Sequence, residues 1–184
     1  MTLANLITIL RILLVPIFLV ILLTEVQDKE IIAAAIIVVG ASTDTVDGYI
    51  ARKYNQVTKL GKFLDPFADK LFIIAALLAL VYLELVEIWV AAVIISREIF
   101  ITVFRFYFFA KGTVFSPSCA AKIKTSLQFI AIVPIILSPK LPHQEIFFKI
   151  GTVLLYITVF LSVYSGVEYI IKYSKKPQEN DNPL

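Results

Sequence analysis

A single cysteine, Cys119, and a single histidine, His143, are all the thiolate and imidazole chemistry in 184 residues. One cysteine excludes an intramolecular disulfide, and it supplies no metal cluster. His143 follows Pro142 in a loop and reads as a solvated residue. Glycine is scarce too, six in all, and none builds a dinucleotide-binding turn. Internal repeats and low-complexity tracts are absent. No cleavable signal is expected, because the first apolar run is too long for an h-region and lacks a small-residue cleavage site. Charge is sparse: 17 Lys and Arg against 14 Asp and Glu leave +3. No nucleic-acid partner is expected from so thin a balance.

Apolar side chains fill the chain instead. They make up 59% of the residues, with a mean hydropathy of +0.89. A soluble domain of this size could not hide them, so the expected fold is an all-α membrane protein. Six runs have spanning length at about 20 residues per helix. They cover 6–23, 31–49, 61–83, 86–109, 120–137 and 147–173. One six-helix membrane domain is therefore expected over 1–173, followed by a short polar tail, 174–184, with too little apolar surface to order itself. Loop charge sets the direction of the helices. Glu25, Asp28, Glu30, Glu84 and Glu87 lie on one side; Arg52, Lys53, Lys59, Lys62, Lys111, Lys122, Lys172, Lys175 and Lys176 lie on the other. The lysine- and arginine-rich side is cytoplasmic, which places both termini in the cytoplasm of a multi-pass protein of the cell membrane. Lys140 and Lys149 run against the pattern, with Glu145 alone beside them.

Four acids interrupt the second and third runs. Asp44 and Asp47 are three apart, and Gly61, Asp65 and Asp69 follow at steps of four. On helices each set shares a face. Counting inward at about 1.5 Å per residue from the outer ends, Asp44 comes level with Asp69 and Asp47 with Asp65. Helix capping explains a lone aspartate beside Ser42 and Thr43, or one before Pro66. It does not explain four acids on two faces with Gly48 and Gly61 beside them. Carboxylates so placed repel one another unless a hard cation sits between them, and all-oxygen ligands select two Mg²⁺ or Mn²⁺ ions over zinc or copper.

Cations collect at the same depth. Asn5, Thr8 and Arg11 recur at steps of three in the first run, with Arg11 about 18 Å from its outer end. Arg97 and Glu98 lie about 17 Å into the fourth run, with Arg105 two turns deeper. The fifth opens with Lys122, Lys124, Thr125 and Gln128. Glu98 is expected to pair with a neighbouring arginine. The sixth run is apolar until Glu168 and is expected to be scaffold or lipid-facing. The resulting picture is six transmembrane helices around a cytoplasm-facing polar cavity, with acids on one wall and cations on the other.

The motif Asp44-x2-Asp47-Gly48-x2-Ala51-Arg52-x8-Gly61-x3-Asp65-x3-Asp69 resembles the signature of the CDP-alcohol phosphotransferases at all eight of its fixed positions. The resemblance covers nearly the whole chain and is strongest from 41 to 70. It implies a membrane enzyme that uses two divalent metals to displace CMP from a CDP-activated lipid. It further implies that Asp44, Asp47, Asp65 and Asp69 hold the metals and that Asp69 is the general base. Gly48 and Ala51 would leave room for the cytidine, with Arg52 near its phosphates; Asn5, Thr8 and Gly61 complete the candidate contacts to the CDP-lipid. A homodimer is likewise implied by the family.

The segments SREIFITVFR (96–105) and KIKTSLQ (122–128) look like the branch whose substrates are CDP-diacylglycerol and sn-glycerol 3-phosphate. Ala121 departs from that branch, which usually has glycine there. An acceptor carrying its own phosphate needs extra cations, and Arg97, Arg105, Lys122 and Lys124, with Thr125, are the candidates. The alternatives are another acceptor for the same chemistry, either inositol phosphate or phosphatidylglycerol (giving cardiolipin). A cation-coupled transporter is the rival class, but internal repeats and polar residues in both leaflets are missing.

Overall fold

The structure, a computed structural model, describes residues 3–53, 59–110 and 119–174. Those residues form six α-helices and a short 3-10 turn, with no strand among them. The helices are α1 (Leu3–Leu23), α2 (Lys29–Lys53), α3 (Lys59–Tyr82), α4 (Ile88–Ala110), α5 (Cys119–Leu137) and α6 (Gln144–Ser174). The 3-10 turn, Ser138–Lys140, joins α5 to α6. Each helix matches one apolar run, and α2 continues four residues beyond its run to Lys53. Hydropathy ends at Tyr49, but Ile50, Ala51, Arg52 and Lys53 contain no helix breaker, so backbone hydrogen bonding carries on. α6 runs through Ser174, the first residue of the expected polar tail, and 175–184 lie outside the described residues.

One stripe of α1 turns inward: Thr8, Arg11, Val15, Phe18 and Leu22 are buried at alternating steps of three and four, the period of one helix face. Phe18 meets Phe72 of α3 with ring centroids 5.6 Å apart. The same Phe72 ring lies against Gly40 of α2, where an added Cβ would come within 2.9 Å of it. Glycine at 40 thus permits close approach of the two helices that carry the four aspartates. Gly151 does the same between α6 and α5. A Cβ there would sit 2.8 Å from the Ala131 carbonyl oxygen and 2.5 Å from Ile135 Cγ1. Backbone cannot yield as a side-chain tip can, so Gly151→Ala should destabilise the protein by about 1–3 kcal/mol. The check is a lowered melting temperature in detergent, whereas an unchanged one would mean that the two helices are not tightly seated.

At one end of the bundle the α1–α2 loop meets the 3-10 turn, and the start of α4 packs on α6. Lys140 Nζ donates to Asp28 Oδ1 at 2.9 Å, and Trp89 stacks on Tyr156 with centroids 5.8 Å apart. The hydrogen bond from Lys140 to Asp28, reinforced by the carboxylate's charge, raises the lysine's pKa above its ordinary value. The pair is exposed, so it adds little stability. It does explain a lysine that ran against the loop-charge pattern: its partner lies 112 residues away in the α1–α2 loop.

Apolar side chains also cover the outside. Leu13, Val20, Leu78, Ile99, Phe160 and Val163 are each about half exposed or more, whereas α6 turns Gly151, Thr158, Ser162 and Ser165 inward. Small and polar inside with apolar outside suits a helix packed in lipid. Among the described residues, the segment Gln144–Glu168, with mean hydropathy 2.1, is long and apolar enough to cross a membrane. Thr8–Leu23 and Lys70–Tyr82 are apolar but shorter.

Candidate functional site

The eight motif residues all fall on helices. Asp44, Asp47, Gly48, Ala51 and Arg52 stand on the last turns of α2, and Gly61, Asp65 and Asp69 stand on α3. Their side chains lie outside the described residues, as do those of Asn5, Arg105 and Lys122. The register of α2 and α3 is described, and it comes from Gly40 against Phe72. One turn on from Gly40 is Asp44, and three residues back from Phe72 is Asp69. The next step along the antiparallel pair brings Asp47 to the level of Asp65. Helical spacing and this register together put the four aspartates at two adjacent levels. Among the described residues no group of three or more His, Cys, Asp or Glu could hold a metal ion.

Next to Asp69 stands Lys70, whose ammonium donates to Thr102 Oγ1 of α4. Thr102 Oγ1 in turn donates to the Glu98 carbonyl at 2.6 Å. One helical turn away from Thr102, Glu98 is buried, 5% exposed. Its carboxylate accepts from Lys124 of α5 and from Arg97 Nη1, the latter at 3.4 Å. Arg97 Nη2 donates to Ser165 Oγ of α6 at 2.7 Å. Side chains from four helices are thereby tied at one level: Lys70 of α3, Arg97, Glu98 and Thr102 of α4, Lys124 of α5 and Ser165 of α6.

Burial gives this network its weight. Lys124 is 0% exposed and Glu98 5%. Removing one partner of a buried ion pair leaves an uncompensated charge, at a cost of about 3–5 kcal/mol. Gln128 is one turn along α5 from Lys124, buried, with neither amide atom hydrogen-bonded among the described residues. A buried amide without partners is costly, about 1–3 kcal/mol per lost group.

The sequence reading placed Arg97, Lys124 and Thr125 here, and the structure brings Arg97 and Lys124 together on Glu98. The expected arginine partner of Glu98 is Arg97, but Lys124 of another helix shares the same oxygen. Lys70 and Ser165 were not singled out. Lys70 directly follows the motif, and Thr158, Ser162 and Ser165 recur at steps of four and three on an apolar helix; that pattern was the available signal. The sixth helix is therefore part of the polar network as well as a scaffold.

Of the cytoplasm-facing cavity expected between the acids and the cations, Arg97 and Lys124 of the cation wall are described, whereas the aspartate side chains of the other wall lie outside the described residues. A different cavity, of about 440 Å³, opens at the other end, bordered by Glu84, Glu87, Phe148, Thr152 and Tyr156. It lies away from the motif and contributes nothing to the site.

Among the described residues, an all-helical bundle with an apolar exterior encloses a buried charged network beside the two helices that carry the acid motif. The chain belongs to the CDP-alcohol phosphatidyltransferase family, whose model matches residues 1–164. It is 43% identical over 182 residues to the CDP-diacylglycerol–glycerol-3-phosphate 3-phosphatidyltransferase of Bacillus subtilis (strain 168), covering 92% of this chain and 94% of that one. It is 36% identical over 176 residues to the protein of the same name from Pseudomonas fluorescens, covering 92% and 89%. A probable phosphatidylglycerophosphate synthase of Mycobacterium tuberculosis (strain ATCC 25618 / H37Rv) is 34% identical over 173 residues, covering 92% and 80%.

Proposed function

We propose that the protein transfers a phosphatidyl group from CDP-diacylglycerol to sn-glycerol 3-phosphate, giving phosphatidylglycerol phosphate and CMP. The observation that carries this reading is the likeness, over nine-tenths of the chain, to a relative named for that reaction. The buried cations support it physically. Arg97 and Lys124 meet at one point in a low-dielectric interior, where charged hydrogen bonds to a phosphate are strong.

The residues then take these roles. Asp44, Asp47, Asp65 and Asp69 form an all-carboxylate donor set that fits two hard divalent ions, Mg²⁺ or Mn²⁺. Bound there, such ions neutralise the diphosphate and the leaving CMP. Asn5, Thr8, Gly48, Ala51, Arg52 and Gly61 hold the CDP-lipid. Arg97, Arg105, Lys122, Lys124 and Thr125 hold the acceptor's phosphate. Asp69 takes the proton from the acceptor hydroxyl as its oxygen bonds to the lipid-linked phosphorus and the bond to CMP breaks.

The reading includes six membrane spans around a polar cavity open to the cytoplasm, with both termini on that side, in a homodimer. Reporter fusions after Lys59, after Lys111 and at the C-terminus should read cytoplasmic, and fusions near Asp28, Glu87 and His143 external. A reversed pattern at Lys59 would place the motif away from its water-soluble substrate. Chemical cross-linking in intact membranes should trap a dimer; monomer alone at every reagent concentration would remove the homodimer from the reading.

The test of the reaction is an assay of purified protein with CDP-diacylglycerol and labelled acceptors, scoring CMP release. Glycerol 3-phosphate should be the preferred acceptor. Preference for inositol phosphate or phosphatidylglycerol would keep the chemistry and change the assignment. CMP release with none of them would remove phosphatidyl transfer to these alcohols altogether.

A further inference from the structure

We infer that Glu98 is a positioning residue for the acceptor site: its carboxylate fixes the two cations that hold the acceptor's phosphate, without itself touching substrate. The inference rests on the reading of Arg97 and Lys124 as phosphate-binding residues.

A carboxylate is a poor neighbour for an anionic substrate. Glu98 is nonetheless buried at the level where the cations gather, with Lys124 and Arg97 both donating to its Oε1. The arrangement makes sense if the carboxylate's work is done on the cations. Lysine ends a four-carbon stem with many rotamers, and a free lysine or arginine gives up that freedom when it binds. Glu98 removes it beforehand for both. An ammonium carries three donors and a guanidinium five, so each cation keeps donors beyond the one that Glu98 takes.

Three further contacts hold the anchor itself. Thr102 Oγ1 donates to the Glu98 backbone carbonyl at 2.6 Å, and Lys70 ties Thr102 to α3. Ser165 of α6 takes the second terminal nitrogen of Arg97 at 2.7 Å. Arg97 is therefore held at both terminal nitrogens, by a carboxylate on its own helix and a hydroxyl on another. Such preorganisation lowers the entropy lost on binding. Its effect should appear in acceptor affinity, since CDP-diacylglycerol is held by the acid motif and the residues around it.

The experiment is steady-state kinetics of the purified full chain with both substrates varied, for Glu98→Gln, Glu98→Asp, Lys124→Met and the Glu98→Gln/Lys124→Met double variant. Size-exclusion profiles and melting curves check folding. Glu98→Gln should raise the KM for glycerol 3-phosphate about tenfold, leaving kcat and the KM for CDP-diacylglycerol within about twofold. Glu98→Asp, which keeps the charge but shortens the reach, should fall between Glu98→Gln and wild type. Because Glu98 acts through Lys124, the two single effects should combine to less than their product in the double variant.

A fall in kcat with unchanged acceptor KM, or fully multiplicative effects, would overturn the inference. If Glu98→Gln does not fold, Glu98→Asp decides, and a wild-type acceptor KM there overturns it. A raised acceptor KM in Lys124→Met with none in Glu98→Gln refutes the positioning role alone. An unmoved acceptor KM in Lys124→Met removes the phosphate role of Lys124, and the inference falls with it.

Discussion

Chelation with EDTA should abolish CMP release, and adding Mg²⁺ or Mn²⁺ should restore it. Four aspartates at two adjacent levels of α2 and α3 cannot stay ionised together without a counter-charge, and an added diphosphate makes the repulsion worse. Two divalent ions supply four positive charges against four carboxylates. Zinc is a poor substitute, because the donor set has neither sulfur nor imidazole. The expected loss is complete within the sensitivity of the assay, since Arg52, with a single charge, cannot neutralise both phosphates of the donor substrate. The measurement is CMP release by chelated protein before and after titration with each metal. Full turnover in a metal-free sample would end the two-metal reading.

Asp69→Asn should reduce kcat by about two to four powers of ten while both substrates still bind, the range that general-base catalysis spans. Asparagine preserves shape and one carbonyl oxygen but cannot accept the proton of the attacking hydroxyl. If Asp44 serves only as a metal ligand, as proposed, higher metal concentrations should recover part of the activity of Asp44→Asn. The two variants can be separated by titrating metal at saturating substrate. If Asp69→Asn recovers with metal as Asp44→Asn does, Asp69 is a ligand alone and the base lies elsewhere. Calorimetric or filter-binding measurement of CDP-diacylglycerol affinity provides the second check, because a true base variant keeps it near the wild-type value.

Much of this molecule was legible along the chain because the deciding forces are local. Hydropathy over about twenty residues marks a helix that lipid can accept, and all six runs reappear as α1 to α6 within a few residues. The spacings of Asp44 to Asp47 and Asp65 to Asp69 needed only a helix to become two faces. Those same spacings carried the family, and so the chemistry. The shared face of Thr8 and Arg11, both buried, likewise followed from helical period.

Pairings between helices were decided by the tertiary structure alone. Hydropathy says that a residue is buried but does not say against what. Phe72 sets the register of the acid-bearing helices by filling the space that Gly40 leaves, a contact between residues 32 apart in sequence. Lys140 finds Asp28 across 112 residues, and Arg97 finds Ser165 across 68. Glu98 was legible as the partner of the arginine beside it; that it also binds Lys124 depends on how α4 and α5 pack. Electrostatics in a low-dielectric interior makes those partners decisive, because a buried charge there is stable only with the particular group that meets it.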